Sequence, residues 1–242
     1  MIILFTDFTY NGPYVGQLKA VIYKKNHNAK IIDLMHDAPA FKPQYAGLLL
    51  NSIIQYCPAN SVFCCVIDPG VGSQREAIVI ETNGHYFVGP DNGLFEYVVR
   101  SHTDFKVYAI NWQPDALSNT FHGRDIFAPI ASEVCEGNLQ NLKLANEDHL
   151  KRFDWDSNLQ EIIYIDSFGN LMTGIKSASL TENSVLEFNG QRVDFVTTFS
   201  KMQGRKLCWY KNSNGLVELA INSQHTAKLL NARLGDVVSI LE

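Results

Sequence analysis

The sequence predicts an α/β N-terminal domain, with a mixed, mostly parallel sheet and flanking helices, followed by a smaller all-β, barrel-like C-terminal domain. Three observations predict it. Strand and helix patterns alternate as far as about residue 140, as they do in a sheet covered by helices. Beyond a polar stretch at 146–158 only short strands and hairpins follow, which suits a small barrel or sandwich. Three apolar strands of the first half end in turns that display polar residues, at the edge where open parallel sheets collect ligands. The boundary is expected near residue 150, giving domains 1–150 and 151–242.

Each element has a local reason. Residues 2–5 are a continuous apolar run without the basic leader or cleavage site of a signal peptide, so they read as a core strand. Segment 14–25 puts Val15, Leu18 and Ile22 on one helical face. A strand at 30–35 precedes a helix at 43–56, with Pro43 in its first turn. Strands are expected at 61–67, 77–82, 85–88 and 106–110, and helices at 94–101 and 124–136. In the second half, strands at 162–165 and 171–175 come first. Strands at 186–188 and 192–196 then flank Asn189-Gly190, a strong two-residue hairpin signal. Strands at 207–210 and 216–221 flank Asn214-Gly215, and 237–241 is the last strand.

Composition narrows the partners. The 242 residues suffice for one large domain or two small ones with real cores. A net charge of −5, with basic residues no denser than the pairs Lys24-Lys25 and Lys151-Arg152, gives no basic face for nucleic acid. No apolar run approaches the roughly 20 residues that cross a bilayer, so no membrane partner is expected. Five cysteines, an odd number without a CxxC pair, read as buried and reduced, and the expected compartment is cytoplasmic.

The polar turns hold the candidate site. Asp7 closes the first strand; it is either a turn aspartate or a carboxylate accepting two ribose hydroxyls. Asp68 opens Asp68-Pro69-Gly70-Val71-Gly72, a turn able to fold Arg75 back onto it, as a plain ion pair or as a carboxylate kept ionised for chemistry. Asp91 and Asn92 precede a helix and read as N-caps. His122 lies beside Gly123, where a ligand could approach closely. A metal held by Asp7, Asp68, Asp91 and His122 is conceivable, but no histidines stand at metal-ligand spacing. Gly70-Val71-Gly72 lacks the third glycine of a dinucleotide fingerprint. Phe168, an aromatic in the polar turn Asp166-Ser167-Phe168-Gly169-Asn170, suits stacking against something flat.

Together these strings resemble one family, the S-adenosylmethionine hydroxide adenosyltransferases, or adenosine-forming S-adenosylmethionine hydrolases, relatives of the fluorinase and chlorinase enzymes. The resemblance runs through Thr6-Asp7-Phe8 with Tyr14-Val15-Gly16-Gln17-Leu18-Lys19, through Val66 to Gly72, and through Val88-Gly89-Pro90-Asp91-Asn92-Gly93-Leu94. It continues in Thr120-Phe121-His122-Gly123-Arg124-Asp125, in the 166–170 turn and in the segment from Asn212 to Asn222. It implies hydrolysis of S-adenosyl-L-methionine to adenosine and L-methionine by attack of water or hydroxide on C5′, without metal or organic cofactor. It also implies a homotrimer whose site lies between the large domain of one subunit and the small domain of its neighbour.

The resemblance assigns roles as well. Asp68, Arg75 and His122 match the family's catalytic set, and Asp7 its ribose-binding carboxylate. Phe168, Asn170 and Phe199 match positions around adenine; Asp166, Ser213 and Glu218 match the methionine end; Phe41 falls near an aromatic lining the halogenase pocket. Three departures stand out. Asn214 occupies the place of a halogenase arginine, Gly174 stands where the family often has asparagine, and the extra N-domain loop of fluorinases is missing. The rival readings are a halide adenosyltransferase, a non-catalytic adenosine- or S-adenosylmethionine-binding protein, and a metal-dependent phosphoesterase built on the aspartates.

Overall fold

The first apolar run forms β1 (Ile2–Thr6), and all five of its residues are buried. Ile2 and Leu4 pack to one side and Ile3 and Phe5 to the other, because successive strand side chains alternate between faces. A strand buried on both faces belongs inside a sheet covered on both sides. The computed structural model describes residues 1–102, 104–201, 204 and 206–241, and it divides into two compact units, Met1–Asp154 and Trp155–Glu242.

In the first unit β1 is followed by α1 (Tyr14–Lys25), β2 (Ile31–Met35), α2 (Pro43–Ile53), β3 (Val62–Val66), β4 (Ala77–Thr82) and β5 (His85–Pro90). Then come α3 (Glu96–Ser101), β6 (Phe105–Ile110), α4 (Ala128–Cys135) and β7 (Leu142–Ala145). The sheet order is β2-β1-β3-β5-β4-β6-β7. Pairing is parallel across β2, β1, β3 and β5 and antiparallel from β5 through β4 and β6 to β7, so the sheet is mixed. Leu18 and Ile22 of α1 join Ile130, Ala131 and Val134 of α4 on one face, while Ala46 and Leu50 of α2 join Val98 and Val99 of α3 on the other. Adjacent Cys64 and Cys65 point to opposite faces, and burial pushes the Cys64 thiol up to about 12 and raises that of Cys65 as well.

In the second unit β8 (Leu159–Ile165), β9 (Leu171–Lys176), β10 (Leu186–Phe188) and β11 (Gln191–Phe195) precede β12 (Cys208–Lys211) and β13 (Leu216–Ala220). A short α5 (Thr226–Leu230) and β14 (Ser239–Ile240) follow. Their order is β14-β10-β11-β12-β13-β9-β8, and an antiparallel bridge from Glu161 to Val237 nearly closes the sheet on itself. Trp209, Phe188, Leu171 and Leu219 fill its core. Asn189 and Gly190 both take positive φ (52° and 72°), as a tight hairpin twisting with its strands requires.

Departures from expectation are local. β7 and α5 lie outside the expected elements: a four-residue strand with half-exposed sides and a five-residue helix carry too little periodic signal. The helix expected at 94–101 begins only at Glu96, and Asp91 and Asn92 do not cap it. Asp91 accepts instead from the Lys151 amide, and the Asn92 amide group donates to Ile67 O. The helix expected at 124–136 opens with a wide π-helical turn, Gly123–Phe127, in which Ala128 N donates to Gly123 O. Pro129 follows at the start of α4, with no amide proton to give the carbonyl four residues before it.

Candidate active site

Within the first unit, a pocket of about 330 Å³ is lined by Asp7, Phe8, Tyr14, Phe41, Asp68, Thr120 and His122, among others. Asp7 arrives on the end of β1. Buried His36 steadies that end, bonding Thr6 Oγ1 at 2.8 Å through Nδ1 and Asp33 Oδ1 at 3.1 Å through Nε2. Asp7 Oδ2 accepts from the Phe41 amide at 3.2 Å, fixing Phe41 in a left-handed conformation (φ 59°) with its ring 73% exposed. Burial raises the Asp7 carboxyl above its ordinary value, against the Phe41 amide bond, and the nearby Asp68 charge adds to the rise.

The turn after β3 delivers Asp68. Gly72 has φ 78°, and a Cβ there would lie 2.5 Å from Asn119 O, so this loop packs against the segment leading to His122 only with glycine at that position. Arg75 folds back onto Asp68 as expected. Its Nε donates to Oδ1 at 3.0 Å and its Nη2 to Oδ2 at 2.6 Å, with both side chains under 10% exposed. The same Nη2 reaches His122 Nδ1 at 2.7 Å, and the guanidinium lies over the Phe127 ring at 5.2 Å. Arginine has only donors, so Nδ1 is the acceptor and the neutral imidazole carries its proton on Nε2. Burial first, and the Arg75 charge second, push the His122 pKa below its usual 6.5. His122 is therefore a neutral ring with a fixed tautomer.

Within the second unit, a larger pocket of about 930 Å³ is lined by Asp166, Phe168, Asn170, Phe199, Ser213 and Glu218, with Tyr210 and Asn212 beside them. Asp166 organises its own turn: Oδ1 accepts from the amides of Phe168 (2.9 Å) and Asn170 (2.8 Å), and Oδ2 from Asn170 Nδ2 (2.9 Å). This leaves Phe168 76% exposed at the pocket rim. Phe199 packs on Tyr210, their centroids 4.9 Å apart. Glu218 sits on β13, 7% exposed, taking a hydrogen bond from the Tyr210 hydroxyl on Oε1 and one from Asn212 Nδ2 at 2.9 Å on Oε2. Burial raises its carboxyl pKa, the two hydrogen bonds oppose the rise, and the Asp166 charge adds to it.

The structure thus gathers Asp7, Phe41, Asp68 and His122 around one pocket, with Arg75 bonded to Asp68 and His122 from outside its lining, and Asp166, Phe168, Asn170, Phe199, Ser213 and Glu218 around another. It does not bring Asp91 to the first, since that carboxylate is turned to the Lys151 amide. Among the described residues, no three His, Cys, Asp or Glu side chains group as a metal site would require, and no helix is long and apolar enough to cross a membrane. Sequence reasoning missed the aromatic wall of Phe8, Tyr14 and Phe121, whose centroids lie 5.3–5.7 Å apart, together with Tyr210 and Asn212. The aromatics stand inside the quoted strings; Tyr210 could have been found from strand alternation, which puts it on the same face as Cys208.

Comparison with known proteins agrees across the chain. Residues 2–143 match the SAM hydroxide adenosyltransferase N-terminal domain and residues 160–239 the SAM hydroxide adenosyltransferase C-terminal domain. The (R)-S-adenosyl-L-methionine hydrolase of Methanocaldococcus jannaschii is 35% identical over all of this chain and 95% of its own length. The enzymes of the same name from Thermus thermophilus and Salinispora tropica are 29% and 30% identical, over 98% and 96% of this chain and 97% and 94% of theirs. An uncharacterized conserved protein from Thermotoga maritima, solved by crystallography, superposes with a TM-score of 0.89 at 28% identity, covering both chains completely. The crystal structure of a conserved hypothetical protein from Thermus thermophilus gives 0.81 at 27% identity, over 99% of each chain. Both domain models, full-length relatives and the fold point the same way: the chain belongs to the SAM hydroxide adenosyltransferase family.

Proposed function

We propose that the protein hydrolyses S-adenosyl-L-methionine to adenosine and L-methionine. The observation that carries this reading is the hydrogen-bonded chain Asp68–Arg75–His122 at the pocket that also holds Asp7. Water attacks C5′; the C5′–O bond forms as the C5′–S bond breaks, and the bonding pair returns to sulfur. The sulfonium leaves as a neutral thioether, so no general acid is needed, and one proton is released. Of the three residues, only Asp68 retains acceptor capacity, because Arg75 is a pure donor and the His122 Nδ1 is occupied. Asp68 accepts a hydrogen of the attacking water while His122 Nε2–H donates to its oxygen, which aims a lone pair at C5′. General-base assistance of this kind contributes about 10²–10⁴-fold, and positioning in a dry site roughly 7–11 kcal/mol.

Asp7 holds the ribose hydroxyls, Phe41 lines the ribose side, Phe168, Asn170 and Phe199 hold adenine, and Asp166, Ser213 and Glu218 hold the methionine end. The working form is a homotrimer in which the large domain of one subunit meets the small domain of its neighbour; the exposed rings of Phe41 and Phe168 favour such a covering partner. We place the enzyme in the cytoplasm, consistent with five free thiols. A halide nucleophile is disfavoured by two carboxylates, Asp7 and Asp68, at the same pocket. The deciding experiment is incubation with S-adenosyl-L-methionine in ¹⁸O-enriched water. Label in the 5′-hydroxyl of adenosine is the expected result. Unlabelled adenosine rules out water as nucleophile, and tight binding without turnover points to a sensor.

A further inference from the structure

We infer that Asn212 and Tyr210 are positioning residues that make the second-unit pocket selective for a substrate ammonium group, acting through Glu218. The inference rests on the reading of this pocket as the methionine site and deepens it. Glu218 is nearly buried, and the groups that reach its two oxygens are both neutral: the Tyr210 hydroxyl on one and the Asn212 amide on the other. Among the described residues, the charge that bears on it is that of another carboxylate, Asp166, which raises its pKa further. Lys211 follows Tyr210 on β12 and also borders the pocket, but it pairs across the sheet with Val217, and the hydrogen bonds that Glu218 accepts come from Tyr210 and Asn212. A buried carboxylate whose hydrogen bonds, among the described residues, come from neutral donors has a charge that a bound cation can balance. A primary ammonium matches that need; a neutral or anionic terminus does not.

Asn212 does more than touch Glu218. Its Oδ1 accepts from the amides of Asn214 (3.0 Å) and Leu216 (2.9 Å), building the turn that carries Ser213, while its Nδ2 donates to Glu218. One side chain therefore sets both the turn and the orientation of the carboxylate. Tyr210 adds the second fixed point, and as a strand residue directly across from Glu218 it costs little entropy to hold in place. Removing either donor takes stabilisation from the ionised form of Glu218 alone, so its pKa rises and ammonium binding needs a higher pH.

Two variants test this with S-adenosyl-L-methionine and its analogue lacking the α-amino group. Tyr210→Phe deletes one donor and keeps the ring; Asn212→Asp keeps the oxygen that builds the turn and replaces the donor by an acceptor. For each, KM for S-adenosyl-L-methionine near neutral pH should rise about tenfold while KM for the deaminated analogue stays within about twofold, since a hydrogen bond to a charged group carries roughly that weight. The acid limb of kcat/KM should move to higher pH for the amino substrate only. Equal changes for both substrates, or an unmoved acid limb, would overturn the inference while leaving the hydrolase reading intact. Failure of the unaltered protein to bind or turn over either sulfonium would overturn both.

Discussion

At the scale of single residues, the unusual feature is a histidine whose tautomer is set by an arginine. Arg75 donates to His122 Nδ1 at 2.7 Å, and protonating that nitrogen would set two donors against each other. The ring is therefore neutral below its ordinary 6.5, and hydrolysis should persist there as far as His122 is concerned. Measured from about pH 5 to 8, the acid limb of kcat belonging to His122 is expected below 6.5; a limb above it would contradict the assignment. Replacing His122 by Ala should lower kcat by about 10²-fold or more with KM nearly unchanged, whereas Asp7→Asn should chiefly raise KM. Equal kcat losses from both would undo the division of roles. The residue scale was also the most legible: Asp68, Arg75 and His122 were read from turn chemistry and family strings, and the ion pair itself from a spacing of seven residues across glycines. The direction of the Arg75–His122 bond was not legible, because the two lie 47 residues apart and only the packed fold brings them together.

At the scale of elements, turns rather than helices aim the site. Gly72 and Gly137 share φ 78°, but a Cβ on Gly72 would strike Asn119 O at 2.5 Å, whereas nothing lies within 4 Å of one on Gly137. Gly72→Ala should therefore cost about 1–3 kcal/mol in thermal unfolding and reduce hydrolysis, because the 68–75 loop must shift with Asp68 and Arg75 on it. Gly137→Ala carries the φ penalty alone, about 1 kcal/mol, and should leave kcat as it is. Loss of activity in both would remove the loop from the explanation. Long elements with clean periodicity were legible, as in α1, whose buried residues Val15, Leu18 and Ile22 are those the pattern picked. The π-helical turn at Gly123–Phe127 was not, because no local pattern separates an Ala128 bond to Gly123 O from one to the next carbonyl, and Gly123 packs against Val66 from a distant strand, where a Cβ would lie 3.2 Å from Cγ1.

At the scale of the whole molecule, each unit has its own apolar core, one split across a sheet by alternating strands and one inside a nearly closed set of short strands. Residues 1–154 and 155–242 produced separately should each unfold cooperatively, monitored by circular dichroism. Neither alone should hydrolyse S-adenosyl-L-methionine, since ribose and methionine groups are assigned to different pockets; full turnover by residues 1–154 alone would refute that division.

By itself the sequence determined that the chain has an α/β half and an all-β half, which turns display the candidate site residues, and which family it belongs to. Those follow from local periodicity, glycine- and proline-bearing turns and strings that survive without knowledge of contacts. Only the tertiary structure decided that Asp91 serves the backbone at Lys151 instead of the pocket, that His122 holds its proton on Nε2, and that Tyr210 and Asn212 grip Glu218. The physical reason is that a hydrogen bond has a direction and a partner, and both are set by residues far apart in the chain that meet only once the core has packed.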